Sequence, residues 1–129
     1  MTKLLDNKRI QMQTNILGTN LQACCTSPMT GYYRDGVCRT SPEDTGTHTI
    51  CAIMTKEFLE FSKAQGNDLA TCIPEFGLEG SKEGDKWCLC ALRWKEAYEA
   101  GKAPKIIAEA TSNASTKIIK KEILMEYKI

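Results

Sequence analysis

The chain has 129 residues, 42% apolar and 26% charged, with 17 basic against 16 acidic side chains. That length fits one domain with a core of its own. A formal net charge of +1 supplies no field to hold nucleic acid or an anionic membrane surface, and no run approaches the ~18 apolar residues of a membrane span.

Residues 1–10 contain no apolar stretch of signal-peptide length, so a soluble, cytoplasmic protein is expected. Seven cysteines are present. An odd count forbids complete internal pairing, and a reducing compartment keeps thiols free, so reduced cysteines without a disulfide network are expected. No Cys-x-x-Cys occurs, which removes the thioredoxin-like motif and the usual zinc-knuckle spacing.

In chain order, residues 1–14 are polar without a clean period and read as a flexible N-terminal tail. Residues 15–129 read as a single α+β domain. Residues 18–50 are rich in Gly, Thr, Ser, Pro and Asp, each of which favours turns for its own backbone reason, so this stretch reads as loops with short strands. Gly31 to Cys38 would be one such strand, entering an Asp-Gly turn at Asp35–Gly36.

The first firm helix is expected at about 55–65. Thr55 is a natural N-cap, Glu57 suits the positive end of the dipole, Met54 and Leu59 are placed as a hydrophobic staple, and Gly66 stops the helix. Asn67–Asp68 would then turn the chain, and residues 72–85 read as loop. Residues 86–91 are apolar on both faces, the pattern of a buried strand. Alternation along it sends Cys88 and Cys90 one way and Trp87 and Leu89 the other.

A helix follows from about 92 to 100, with Ala91, Trp94 and Tyr98 on one face, Gly101 as stop and Pro104 beyond it. Lys105 to Thr111 reads as a strand, so a β-α-β unit is expected at about 86–111. Thr116 to Ile119 would be a further short strand. A terminal helix at 121–128 would place Leu124 and Tyr127 inward.

Several strings together carry a resemblance. They are the run from Pro28 to Gly36, the run from Gly46 to Ala52, Phe58-Leu59-Glu60-Phe61-Ser62, Gly66-Asn67-Asp68-Leu69, and the run from Gly84 through Trp87-Cys88-Leu89-Cys90 to Ala97. With them the chain resembles a family of small, mainly bacterial proteins catalogued as a domain of unknown function, number twenty-two thirty-seven. The resemblance spans about residues 15–127. It implies a single-domain protein and no particular activity. Against the family pattern, Cys72 takes a place where proline is usual, and Ser112 takes one where histidine is frequent.

Few residue types here carry chemistry. His48 is the only histidine, so any imidazole base or ligand is this one. Cys51 follows it by three residues, and Asp44 precedes it by four, a position from which a carboxylate can orient the ring. Cys88 and Cys90 are either small apolar core residues or paired thiols for catalysis or a soft metal. Arg34, with Asp35 beside it, offers a planar fork for an anionic ligand or pins the loops as an ion pair.

Three functions stay open at this point. The first is an enzyme doing thiol-dependent chemistry on a small anionic ligand, with His48, Cys51, Cys88 and Asp44 catalytic and Arg34 and Asp35 holding the ligand. The second is a non-catalytic binding module whose cysteines are core. The third is a zinc-type metal protein using His48, Cys51, Cys88 and Cys90. No cofactor is expected under the first two, zinc under the third. A small molecule is the expected partner, and nucleic acid and membrane are not.

Overall fold

Among the described residues two strands organise the fold, and only the second was expected from the sequence. The computed structural model describes residues 13–26, 29–44, 47–66 and 82–129. Strand β1, His48–Ile53, pairs antiparallel with β2, Lys86–Cys90. Four of the six β1 residues are buried, because β1 has neighbours on both sides. On its far side Ala52 bridges Ile106, Ile107 N–H donates to Cys51 O at 2.9 Å, and Ile53 N–H donates to Lys105 O at 3.0 Å. Ile106 bridges Lys128 in turn.

Alternation along the strands separates two faces. Ile50, Ala52 and Leu89 enter the main apolar core, while Cys51 and Cys88 enter a separate cluster with Cys24, Cys38 and Ala110. The expected opposition of Leu89 to Cys88 is therefore present.

Helix α1, Lys56–Ala64, forms as its sequence signals require. The Thr55 side chain accepts from Phe58 N–H, Glu57 sits in the first turn, and Gly66 adopts φ 92° beyond the end. Met54, Phe58 and Leu59 are buried in the main core. Helix α2, Ala91–Glu99, follows β2 without a loop and buries Ala91, Trp94 and Ala97.

Trp94 is fully buried, and its indole N–H donates to Pro104 O at 3.0 Å. It stacks on Tyr98 with ring centroids 5.7 Å apart and meets Tyr127 edge-on at 5.1 Å. Helix α3, Lys121–Glu126, supplies Leu124 to the same core.

The fold is a small α+β domain, as expected. The unit at 86–111 has its strand and its helix, but its last segment is shorter than expected. Residues 108–110 turn into a 3-10 helix, and pairing is limited to an isolated bridge at Ile106. Since β2 and the Ile106 segment both run antiparallel to β1, they run parallel to each other with β1 between them.

Residues 113–117 also form a 3-10 helix rather than a strand over Thr116–Ile119, started by Ser112, whose hydroxyl accepts from Ala114 N–H. Such caps offer the backbone a local alternative to strand pairing. The stretch from Gly31 to Cys38, expected as a strand, is turns and bends with one bridge, Ala23 to Val37. Gln13, assigned to the tail, exchanges two hydrogen bonds with the Thr40 backbone. The expected turn at Asn67–Asp68 and the loop from 72 to 81, Cys72 included, lie outside the described residues.

Candidate functional site

Asp44 and His48 form the most organised polar pair among the described residues. The Asp44 side chain has no exposed surface, whereas that of His48 is 38% exposed. Asp44 Oδ1 lies 2.7 Å from His48 Nδ1. Asp44 Oδ2 accepts from His48 N–H at 2.8 Å and from the Thr40 hydroxyl at 3.0 Å. A carboxylate oxygen accepts, so this contact is made when Nδ1–H donates, which leaves Nε2 pointing away from Asp44. Tyr32 stacks on the imidazole at 6.1 Å, and its hydroxyl donates to Glu43 O.

The backbone beneath this pair is strained. Thr47 has φ 51°, an outlier for a β-branched residue. Its carbonyl accepts from Thr49 N–H at 2.9 Å, from the Thr49 hydroxyl at 3.2 Å and from Ala91 N–H at 3.0 Å. The kink is thus tied to the start of α2. The strand register shifts between His48 and Ile50, which is how a bulge re-aims a side chain. As a result, His48 stands opposite Cys90 across the sheet.

Cys90 is half-buried, carries a free thiol and is the N-cap residue of α2. Helix N-termini favour negative charge beside them. Among the described residues, no hydrogen bond joins the imidazole to a sulfur. Thiol–imidazole contacts are commonly longer in unliganded sites than in the reacting complex.

A cleft of about 610 Å³ lies beside Asp44, lined by Thr40, Ser41, Asp44, Thr47, Lys117 and Ile118 among others, with neither His48 nor Cys90 among its described lining residues. Its size suits a small molecule.

The remaining candidates sit elsewhere. Cys51 and Cys88 are buried and disulfide-bonded, Cys51 to Cys24 and Cys88 to Cys38. Neither offers a free thiol in this state, and the expectation of reduced cysteines without bridges is corrected. The odd count excludes only complete pairing, and packing of Cys24 and Cys38 against the sheet brings together cysteines 27 and 50 residues apart.

The set His48, Cys51, Cys88 and Cys90 does not gather as metal ligands. Among the described residues the group that does is Cys24, Cys38 and Cys88. Cys51 and Cys88 face each other across the sheet and turn to the sulfur cluster, while the register shift sets His48 against Cys90.

Arg34 lies over the Trp87 ring at 5.4 Å. Asp35 accepts from Arg39 Nε at 2.6 Å and from Val37 N–H at 3.1 Å. Among the described residues, neither contacts the Asp44–His48 pair. Asp35 serves its turn and an exposed ion pair, the commoner duty of a loop carboxylate.

Sequence reading missed Tyr32, Thr40 and Thr47 as neighbours of His48. A hydroxyl or phenol in a polar loop carries no spacing signal, and a positive φ at threonine has none either. Among the described residues, no helix is long and apolar enough to cross a membrane. No curated protein matches the chain. Residues 14–128 match the model of a family described as "Uncharacterized protein conserved in bacteria (DUF2237)", and with nearly its whole length matched the chain belongs to that family.

Proposed function

We propose that the chain is a thiol-dependent enzyme acting on a small anionic ligand, with Cys90 as nucleophile, His48 as base and Asp44 as the group that orients the imidazole. The observation that supports this reading most is the placement of an Asp-held histidine opposite a free thiol at the start of a helix. An oriented imidazole raises the thiolate fraction of a cysteine it can reach, and a helix N-terminus acts in the same sense.

The cleft beside Asp44 would take the ligand, with Lys117 as its cation. Cys51 and Cys88, also candidates from sequence, would support the site from the sulfur cluster. Arg34 would act only at the Trp87 side. No nucleic-acid or membrane partner belongs to this reading, given the net charge of +1, and its setting is the bacterial cytoplasm. A second reading, a binding module without chemistry, draws on the burial of four cysteines as bridged core residues.

Iodoacetamide labelling of the native chain, followed peptide by peptide, separates the two. Cys90 should label fastest at neutral pH, and His48→Ala and Asp44→Asn should each slow it on the order of tenfold. A Cys90 rate unmoved by both substitutions would leave the binding module.

A further inference from the structure

Four of the seven cysteines meet in one place that is separate from Cys90. The sulfurs of Cys24, Cys38 and Cys88 all lie within 4.8 Å of one another. The fourth, that of Cys51, is bonded to Cys24, and Cys51 stands directly opposite Cys88 in the sheet. All four residues are at most 6% exposed. We propose that in its reduced form the chain binds one Zn²⁺ through Cys24, Cys38, Cys51 and Cys88. This does not rest on the reading of Cys90 and His48.

Geometry supports it first. A tetrahedral zinc with Zn–S bonds of about 2.3 Å needs sulfurs about 3.8 Å apart. Opening each bridge moves its two sulfurs toward that separation, and three of the four sulfurs, those of Cys24, Cys38 and Cys88, already lie within 4.8 Å of one another. The Cα atoms of the bridged pairs are 5.5 and 5.2 Å apart, so the two side chains of each pair start close enough to share one metal.

The scaffold supports it next. Two ligands come from facing positions of paired strands. The other two come from a loop stitched to itself by the Ala23–Val37 bridge and by Cys24 N–H donating to Gly36 O at 2.6 Å. Gly36 has φ 86°, and a Cβ there would lie 2.8 Å from Cys25 O. The loop closes this tightly only because that position has no side chain. Cys88 N–H donates to the buried Thr30 hydroxyl at 2.8 Å, which fixes the strand against the same loop.

Chemistry supports it last. Four thiolates form a soft, closed set that fills all four zinc positions, the pattern of a structural or sensing site rather than a catalytic one. Ala110 and Ile107 pack on the cluster and keep water out. The ligands come from one loop and two strands and lie far apart in sequence, so no short spacing motif announces them.

The two states exclude each other. A dithiol reductant delivers two electrons and two protons to each bridge, yielding four thiols and oxidising two equivalents of itself to disulfide. Four thiols then lose four protons to solvent as four Zn–S bonds form. Two equivalents of a small-molecule disulfide, each taking up two electrons and leaving as two thiols, re-form the bridges by thiol–disulfide exchange and release the metal, so the cluster would report the redox state of its compartment.

The test is a titration of the full chain, reduced with a phosphine under inert gas, with Co²⁺ and then Zn²⁺. One Co²⁺ per chain should bind with the visible absorption of a tetrahedral thiolate site, and Zn²⁺ should displace it. The bridged chain should bind none at this site. Cys38→Ser should weaken binding at least ~100-fold, whereas Cys90→Ser and His48→Ala should leave stoichiometry and spectrum unchanged.

Because Cys38→Ser can also impair folding, alkylation mapping of the reduced wild-type chain gives a second measurement. Zn²⁺ should protect Cys24, Cys38, Cys51 and Cys88 and leave Cys25 and Cys90 open. The proposal is overturned by absence of the tetrahedral spectrum, by its survival in Cys38→Ser, by its loss in Cys90→Ser, or by equal labelling of the four cysteines with and without zinc.

Discussion

The two faces of the β1–β2 sheet are held together by different physics. On one face, Ile50, Ala52 and Leu89 meet α1, α2 and the Trp94–Tyr98–Tyr127 aromatic group. Cohesion there comes from area removed from water and from close packing. On the other face, Cys51 and Cys88 meet loop residues that bury little apolar bulk, and cohesion comes from two covalent bridges and specific hydrogen bonds. The first face tolerates a change of redox state, and the second is defined by it. The Asp44–His48 pair sits at the loop end of the second face, where a bulge and a strained Thr47 adjust direction without disturbing the packed side.

The largest expected effect breaks the first face alone. Trp94→Ala removes the largest fully buried side chain and leaves the Pro104 carbonyl without its donor. It should lower unfolding free energy by about 3–5 kcal/mol in denaturant titrations. That loss should be similar for bridged and reduced protein, since distant sites without shared partners add. A loss that changes by more than ~1 kcal/mol on reduction would show the faces to be coupled and end the comparison.

Reduction of both bridges in the presence of a metal chelator tests the second face. It should cost about 2–4 kcal/mol, because the closed loops restrict the unfolded chain. The helical far-ultraviolet signal should persist at low denaturant, as α1 and α2 pack on the other face. A cost near zero would mean that hydrogen bonds alone hold the loops.

The smallest effect sharpens the boundary. Thr55→Ala removes the oxygen that accepts from Phe58 N–H at 3.0 Å. It should cost about 1 kcal/mol and leave the alkylation rate of Cys90 unchanged. A changed rate would mean that the helix side reaches the thiol side.

Much of the packed face was legible in the residue order. A helix announces itself through neighbours in sequence: Thr55 caps, Met54 and Leu59 clasp, Gly66 stops, and Trp94 and Ala91 fall on one stripe. Cys88 and Leu89 part to opposite faces because a strand alternates. The strand β1 was not legible, since His48 to Ile53 follows a turn-rich stretch and its character comes from neighbours on both sides. The short pairing at Ile106 escaped for the same reason.

In the candidate site, His48 and Asp44 stood out by rarity and spacing, and the structure joins them. Arg34 and Asp35 stood out by charge, and local partners absorb them.

By itself, the sequence determined family, class and the places where helices start and stop, because those depend on side chains within a few positions of each other. Only the tertiary structure decided which cysteine faces His48 and which four sulfurs gather. Those outcomes depend on strand register, where one residue of slip turns every side chain to the other face. Here a one-residue bulge set Cys90, rather than its neighbour Ala91, against His48.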